Sequence, residues 1–403
     1  MKLIALSFKY LWSRPLAAAL NLLLLALGLA SITLVLLVSS QIDRAFERDL
    51  AGIDVVVGAK GSPMQLILAG VFHIDTPTGN IPLSEVKELQ KNPQIAKLIP
   101  LSLGDSFRGF RFVGTTTDYV THYNAQLAQG VLWQQPMEAV LGADVAVGTG
   151  MAVGNSFVGS HGLGMNGHAH GDNPYKVTGV LTPCGCVLDR LILTATESVW
   201  RVHEKAIEGD TPLDAEDKKA IEDDREITLA LITYSSPLAA VTFPRLVNTT
   251  TNMQAAAPAI EITRLLRMVG VGTEVLRGFG AVLLLTAGLS VFIALWNAVR
   301  ERRADLAMLR MLGASPAKVA GLLVFEALWL AILASIVGIA GGHLLTALVG
   351  SMLQAERSLP VTGWIWLSQE WLIPAAAALV AVLAALLPAV AAYRVDVHTL
   401  LKS

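Results

Sequence analysis

Four stretches of this chain run without a single Asp, Glu, Lys or Arg: Pro15 to Ile42, Gly278 to Val299, Ala327 to Ala355 and Trp371 to Tyr393. Each exceeds the ~20 apolar residues that a helix needs to cross ~30 Å of hydrocarbon. The chain as a whole is 53% hydrophobic and 15% charged. That is too apolar for an ordinary soluble protein and too charged for a bundle of spans alone. The expectation is an α-helical membrane protein with four transmembrane helices, at 15–42, 278–299, 319–353 and 371–393. A large α+β domain, 43–277, is inserted between the first two.

Orientation follows from the lysines and arginines. The segment before the first span, 1–14, has Lys2, Lys9 and Arg14 and no acid. The 300–318 loop has Arg300, Arg302, Arg303, Arg310 and Lys318 against Glu301 and Asp305, and the 394–403 tail has Arg394 and Lys402 against Asp396. The short 354–370 loop has one Arg and two Glu. The positive-inside rule then places both termini and the 300–318 loop in the cytoplasm, with the insert and the short loop outside it. The first uncharged run is longer than the ~7–15 residue core of a signal peptide, so it reads as a retained span. Residues 1–14 read as a helix lying in the inner interface, beside membrane lipid.

The insert is roughly 230 residues, enough for one large or two small domains. Strand character runs through Ile53–Val57, Phe107–Val113, Lys176–Leu181, Leu191–Thr194 and Ile227–Tyr234. Ser84 reads as the N-cap of one helix, a second spans about 197–207, and a third leads from Ala255 to Val275 into the second span. Two lobes are expected, about 43–152 and 153–255. The charge run 210–226 reads as a solvated segment. The net charge of −2 gives no support for nucleic-acid binding, and no nucleotide phosphate loop or catalytic constellation emerges.

Between the second and third spans lies a short basic amphipathic helix, Val299 to Lys318. Leu306, Leu309 and Leu312 would face the spans, and Arg303 and Arg310 a partner. Gly313 provides a C-terminal break, and Pro316 falls where a new helix can begin. Glu326 sits about 10 Å into the third span, where an acid is expected to form a hydrogen bond or ion pair.

The run Arg300-Glu301-Arg302-Arg303, then Leu309 to Ser315 through Gly313 and Ala314, resembles the FtsX-like, MacB-type permeases of ABC transporters. Glu326, the Gly338/Gly341/Gly342 cluster, and Leu387-Pro388-Ala389 with Tyr393-Arg394 are similar as well. In the insert, Leu141-Gly142 to Gly154-Asn155, Lys176 to Val180 and Ala257 to Glu261 resemble the same family. The resemblance implies a bacterial inner-membrane permease, a second copy as homodimer partner, and ATP bound by a separate cytoplasmic ABC ATPase. The helix between spans two and three would dock on that ATPase. Motion would pass to the outer domain, which acts on an envelope substrate or on a periplasmic protein or lipoprotein. A regulatory role, activating a periplasmic partner, is the alternative.

His161, His168 and His170 lie in a Gly-rich loop, and Cys184 and Cys186, the only cysteines, follow. Imidazole and thiolate are ligands that zinc or copper(I) prefers. Such a metal site competes with a disulfide between the two cysteines, or with free residues in a turn. His73, His122 and His203 read as surface or satisfied core residues.

Overall fold

The computed structural model describes residues 2–161, 174–208, 220–355 and 361–394. The chain divides into two compact units, Met1–Asp43 with Met268–Ser403, and Arg44–Arg267. Its helices are α1 (Lys2–Leu11), α2 (Pro15–Leu50), α3 (Pro63–Gly70), α4 (Leu83–Gln90), α5 (Asp118–His122) and α6 (Ala143–Thr149). There follow α7 (Thr196–Glu208), α8 (Ala239–Thr250), α9 (Pro258–Glu301), α10 (Arg303–Met311), α11 (Pro316–Ala355) and α12 (Leu372–Tyr393).

Among the described residues, four helical stretches are long and apolar enough to cross a membrane: Pro15–Leu50, Glu274–Glu301, Pro316–Met352 and Ser368–Tyr393. Three of the helices outrun the uncharged runs that suggested them. α2 continues past Ile42 to Leu50, α9 begins at Pro258, and α11 begins at Pro316. Within this unit alanines 287, 327, 331, 334, 377, 381 and 385 share the interior with Leu25, Leu29, Leu295, Leu323 and Leu330, while Leu16, Leu285, Leu344, Leu379 and Leu387 point outward. Lipid supplies no hydrophobic drive between helices, so small residues that allow close approach occupy the contacts. Gly338 and Gly342 show this directly. A Cβ on Gly338 would lie 2.9 Å from the Ala26 carbonyl, and one on Gly342 3.0 Å from that of Ala30 and closer still to Thr33. Gly341, by contrast, has only an ordinary 3.6 Å contact with Ala30.

The Arg44–Arg267 unit is built on strands β1 (Val55–Ala59), β2 (Ile81–Pro82), β3 (Ile95–Phe107), β4 (Phe110–Thr115), β5 (Leu127–Gly130), β6 (Glu138–Leu141) and β7 (Ser156–Phe157). It continues with β8 (Ser160–His161), β9 (Tyr175–Leu181), β10 (Leu191–Ala195), β11 (Glu226–Ile227), β12 (Leu229–Tyr234) and β13 (Met253–Ala256). Among the described residues the main sheet runs β13-β1-β12-β3-β4-β10-β6-β9-β5, with β7 on β9 and β8 on β3. The β4–β10 and β6–β9 pairs are parallel. Strands from either side of residue 152 alternate in this order, so a cut there does not separate them. Two apolar cores line the sheet. One gathers Val55, Val57, Ala230, Ile232, Phe243 and Val247, and the other Phe110, Phe112, Leu141, Phe157, Tyr175 and Ile192.

Several boundaries differ from the sequence reading. The expected strand Phe107–Val113 is strand from Phe110 on, as part of β4, but is broken from Phe107 by a hairpin turn, because Arg108 (φ 49°) and Gly109 (φ 80°) both adopt the left-handed backbone that a tight two-residue connection requires. The run Ile227–Tyr234 is split at Thr228, whose buried hydroxyl accepts the Leu103 amide at 2.9 Å. The N-cap position of α4 is Pro82 rather than Ser84, with no side-chain cap bond. Ala255 pairs with Val57 in the sheet, so the helix expected from that residue starts three positions later.

His73, three residues beyond α3, takes the left-handed region (φ 55°) and is buried, with its Nε2 3.0 Å from the Tyr119 hydroxyl. Burial, then the charges of Arg111 and Arg190, hold its pKa well below the usual histidine range. The neutral ring therefore stabilises the fold fully above about pH 6.5, the unfolded value, and that contribution is lost as pH falls below it. Urea midpoints between pH 7.5 and 5 should fall for the wild type. They should fall less steeply, by about one proton's worth, for His73→Asn, which tolerates the same backbone. In the helical unit, Gly342→Val should cost about 1–3 kcal/mol through overpacking and lower the thermal midpoint in detergent, whereas Gly341→Ala should leave it nearly unchanged.

Candidate functional site

The loop between α9 and α11 is short and largely helical. α9 ends at Glu301, Arg302 breaks the helix (φ −97°, ψ 16°), and α10 runs from Arg303 to Met311. Gly313 then takes φ 93°, and α11 restarts at Pro316. The last turn of α10 closes through the Gly313 amide on the Arg310 carbonyl (3.0 Å) and the Ala314 amide on that of Leu309 (3.0 Å). A left-handed glycine ends a helix at low steric cost, and proline suits the first turn of the next.

Leu306 and Ala307 are buried, and Leu306 joins the core of the helical unit beside Leu11, Val299, Val319 and Leu323. Leu309 and Arg310 are half-buried, Ala314 packs against the same core, and Arg300, Gly313 and Ser315 are exposed. Arg303 opens the helix, and its side chain lies outside those described. Leu312 corrects the sequence reading. It is 80% exposed instead of facing the spans, because it follows the last residue of α10 and turns away at the Gly313 break. With Met308 (54%) and Met311 (55%) it forms an outward apolar face on an otherwise polar loop.

Behind α10 lies a set of contacts that sequence reasoning largely missed. Arg302 stacks over the Tyr10 ring at 4.8 Å, donates to the Tyr10 carbonyl at 3.3 Å and to the Ser13 hydroxyl, and lies 4.0 Å from Glu326. Arg14 pairs with Glu301. The Glu326 carboxylate is buried, with Oε2 lacking a hydrogen-bond partner. It borders a cavity of about 130 Å³ lined also by Tyr10, Arg14, Asn21 and Arg302, roomy enough for water. Arg302 is the cation that faces the Glu326 carboxylate, at 4.0 Å. The contacts of Arg302 bring the ends of α1 and α9 against the body of α11. Charge placement was a usable signal, since Arg14 and Arg302 flank uncharged runs. Tyr10 and Ser13 gave none.

A second polar knot holds the short loop after α11. His343 lies 2.6 Å from the Gly363 carbonyl through Nδ1 and 2.8 Å from Glu370 through Nε2. The other oxygen of Glu370 accepts the Leu367 amide (2.8 Å), and Gln41 exchanges two 2.9 Å bonds with Thr362.

In the α+β unit, Cys184 and Cys186 are joined in a disulfide, their Cα atoms 5.1 Å apart. Neither sulfur is then a thiolate, which removes both cysteines from the metal set expected from sequence. His168 and His170 lie outside the described residues; His161 pairs through its backbone with Asp105 in β8, and its side chain is not described. Among the described residues no group of three or more His, Cys, Asp or Glu side chains is placed to hold a metal.

The disulfide turn adjoins the last turn of α2. The buried Asp49 carboxylate accepts the Val187 amide at 3.2 Å, and its carbonyl accepts the Tyr123 hydroxyl at 2.9 Å. Phe46 meets Phe72 edge-on at 4.8 Å.

Arg302→Ala would leave Glu326 buried without its counter-charge. The expected cost is about 3 kcal/mol or more, read as a lower thermal midpoint in detergent. Adding Glu326→Leu should recover most of the loss.

Residues 277–397 match the family model of the FtsX-like permease C-terminal domain, and residues 18–211 that of the MacB-like periplasmic core domain. A solved structure of the periplasmic region of MacB from Actinobacillus actinomycetemcomitans is 14% identical, with a TM-score of 0.34. The match covers 54% of this chain and 95% of that one. The extracellular domain of the noncanonic ABC-type transporter YknZ from Gram-positive bacteria is 10% identical, with a TM-score of 0.30, over 50% of this chain and 98% of that one. A search of curated proteins returned no match. The two family models, which fall on the α+β unit and the apolar helices in turn, carry the assignment: the chain belongs to the FtsX-like, MacB-type permeases of ABC transporters.

Proposed function

We propose that this chain is the membrane half of a two-part machine in the bacterial inner membrane, driven by a separate cytoplasmic ABC ATPase. Its α10 receives movement of that ATPase, and its spans pass the movement to the α+β domain on the far side. That domain then acts in export, extraction or release of an envelope substrate. The observation that carries the reading is the outward apolar face of α10, with Leu312 80% exposed. An aqueous loop gains nothing from showing Met308, Met311 and Leu312 to water, whereas a partner groove would bury them. Arg300, exposed beside them, supplies charge at the rim.

Transmission is supported by helix continuity. α2 runs unbroken for 36 residues and ends within the α+β unit, and α9, 44 residues in all, begins within that unit and ends at the loop that carries α10. A hydrogen-bonded helix carries displacement along its axis with little loss, because bending it needs a proline, a bulge or an inserted group. The clamp of Arg302, Tyr10 and Glu326 ties the receiving end of α9 to α1 and α11, so these helices move as one body. The reading further places both termini in the cytoplasm, by the lysine and arginine distribution, and a second copy of the chain beside the first.

Met308→Asp with Leu312→Asp should leave the fold intact, since both side chains are exposed. The pair should weaken binding of the purified ATPase by about 30-fold or more, roughly 2 kcal/mol, and remove its stimulation by the permease. Unchanged binding and stimulation would remove α10 as the receiving element.

A further inference from the structure

We propose that Cys184–Cys186 is a reversible thiol–disulfide exchange site, opened by a dithiol reductant, and that its opening loosens the seat of the last turn of α2. A disulfide spanning three residues closes almost no chain, so it removes little freedom from the unfolded state and is a poor staple. Nor is it needed to shape the turn. Asp189, itself buried, already accepts the amides of Cys184 (3.0 Å) and Gly185 (2.7 Å). A bond that adds little stability and lies at the surface has the character of a labile disulfide rather than a structural one.

The two sulfurs are not equivalent. Gly185 is exposed and Cys184 half-buried, while Cys186 is 6% exposed. An incoming thiolate therefore meets the Cys184 sulfur. A new S–S bond forms between the reductant and Cys184, the Cys184–Cys186 bond breaks, and its electron pair leaves on the Cys186 sulfur, which takes a proton from water. The second thiol of the reductant, as thiolate, then attacks its own bonded sulfur and releases Cys184, which is protonated in turn. Two electrons and two protons pass from dithiol to disulfide. The product is accommodated on the Cys184 side, because its Sγ lies 3.3 Å from Asp189 Oδ1, an acceptor for the new S–H.

Opening has a mechanical consequence next door. The sulfurs must part from bonding to van der Waals separation, which displaces Cys186 and with it Val187, whose amide holds Asp49. Gly185, at φ 62°, is also released to relax, and Arg48, whose guanidinium would lie 3.3 Å from a Cβ there, loses its neighbour. Both contacts belong to the last turn of α2.

The test uses the full chain in lipid nanodiscs with dithiothreitol as the probe, followed by acid quench, alkylation of free thiols and mass spectrometry. Hydrogen exchange is followed in parallel over residues 44–50 and 184–190. Both cysteines should become alkylated without denaturant, and exchange in the two segments should rise about two- to tenfold, the factor one lost hydrogen bond carries. Alkylation only after denaturation would overturn the proposal, as would opening with unchanged exchange at 44–50. Cys184→Ala with Cys186→Ala should show the reduced pattern from the start and ignore dithiothreitol. A folded variant that retains the oxidised pattern would equally overturn it. No ATPase takes part, so the outcome does not depend on the role proposed for α10.

Discussion

Backbone hydrogen bonds inside hydrocarbon have no water to fall back on. A helix that crosses lipid therefore cannot unwind a turn to absorb a push, and must shift as a rod or stay put. The helical unit is built around that constraint. Its interior is lined with alanine and with Gly338 and Gly342, which let α11 lie close against α2. Leu25, Leu29, Leu323 and Leu330 pack among them, and other leucines face outward. Small, smooth contacts hold helices together while permitting small sliding movements, in the manner of shear between packed elements.

In the mechanism proposed, such rods need joints where force enters and leaves, and polar contacts lie close to the ends of α9 and α2. At one joint, Arg302 gathers Tyr10, Ser13 and Glu326 where α9 gives way to α10. Burying charge there is costly unless it is paired, so the pair is set by geometry and any separation is penalised. At the other, the last turn of α2 is held by Asp49 on Val187 and Tyr123, a local set of bonds beside the one disulfide among the described residues. A glutamate and an aspartate thus mark the joints, each buried and each answering to a few named partners.

What the sequence made legible follows from what each signal depends on. The spans were plain because charge exclusion is a one-dimensional property, and the Gly313 break and Pro316 restart depend on local backbone preferences. Glu326 could be expected to find a partner, but Arg302 and Tyr10 are brought together across about 290 residues, which no spacing reveals. Arg108-Gly109 escaped notice as a turn because arginine seldom takes a positive φ, and the apolar residues around it suggested an unbroken strand. Leu312 was misplaced by treating the helix as continuous to the break, when its regular face ends at Met311. The cysteine pair offered ligand and disulfide chemistry equally in sequence, and only its geometry separates them.

Hydrogen exchange on the permease–ATPase complex, compared between a non-hydrolysable ATP analogue and ADP, asks whether movement of the ATPase reaches the α+β domain along α2 and α9. A nucleotide-dependent difference is expected at 44–50 and in Val187–Arg190 as well as in α10, since the far joint must feel the load. A difference confined to α10 and its neighbours, with the α+β domain identical in the two states, would contradict that route.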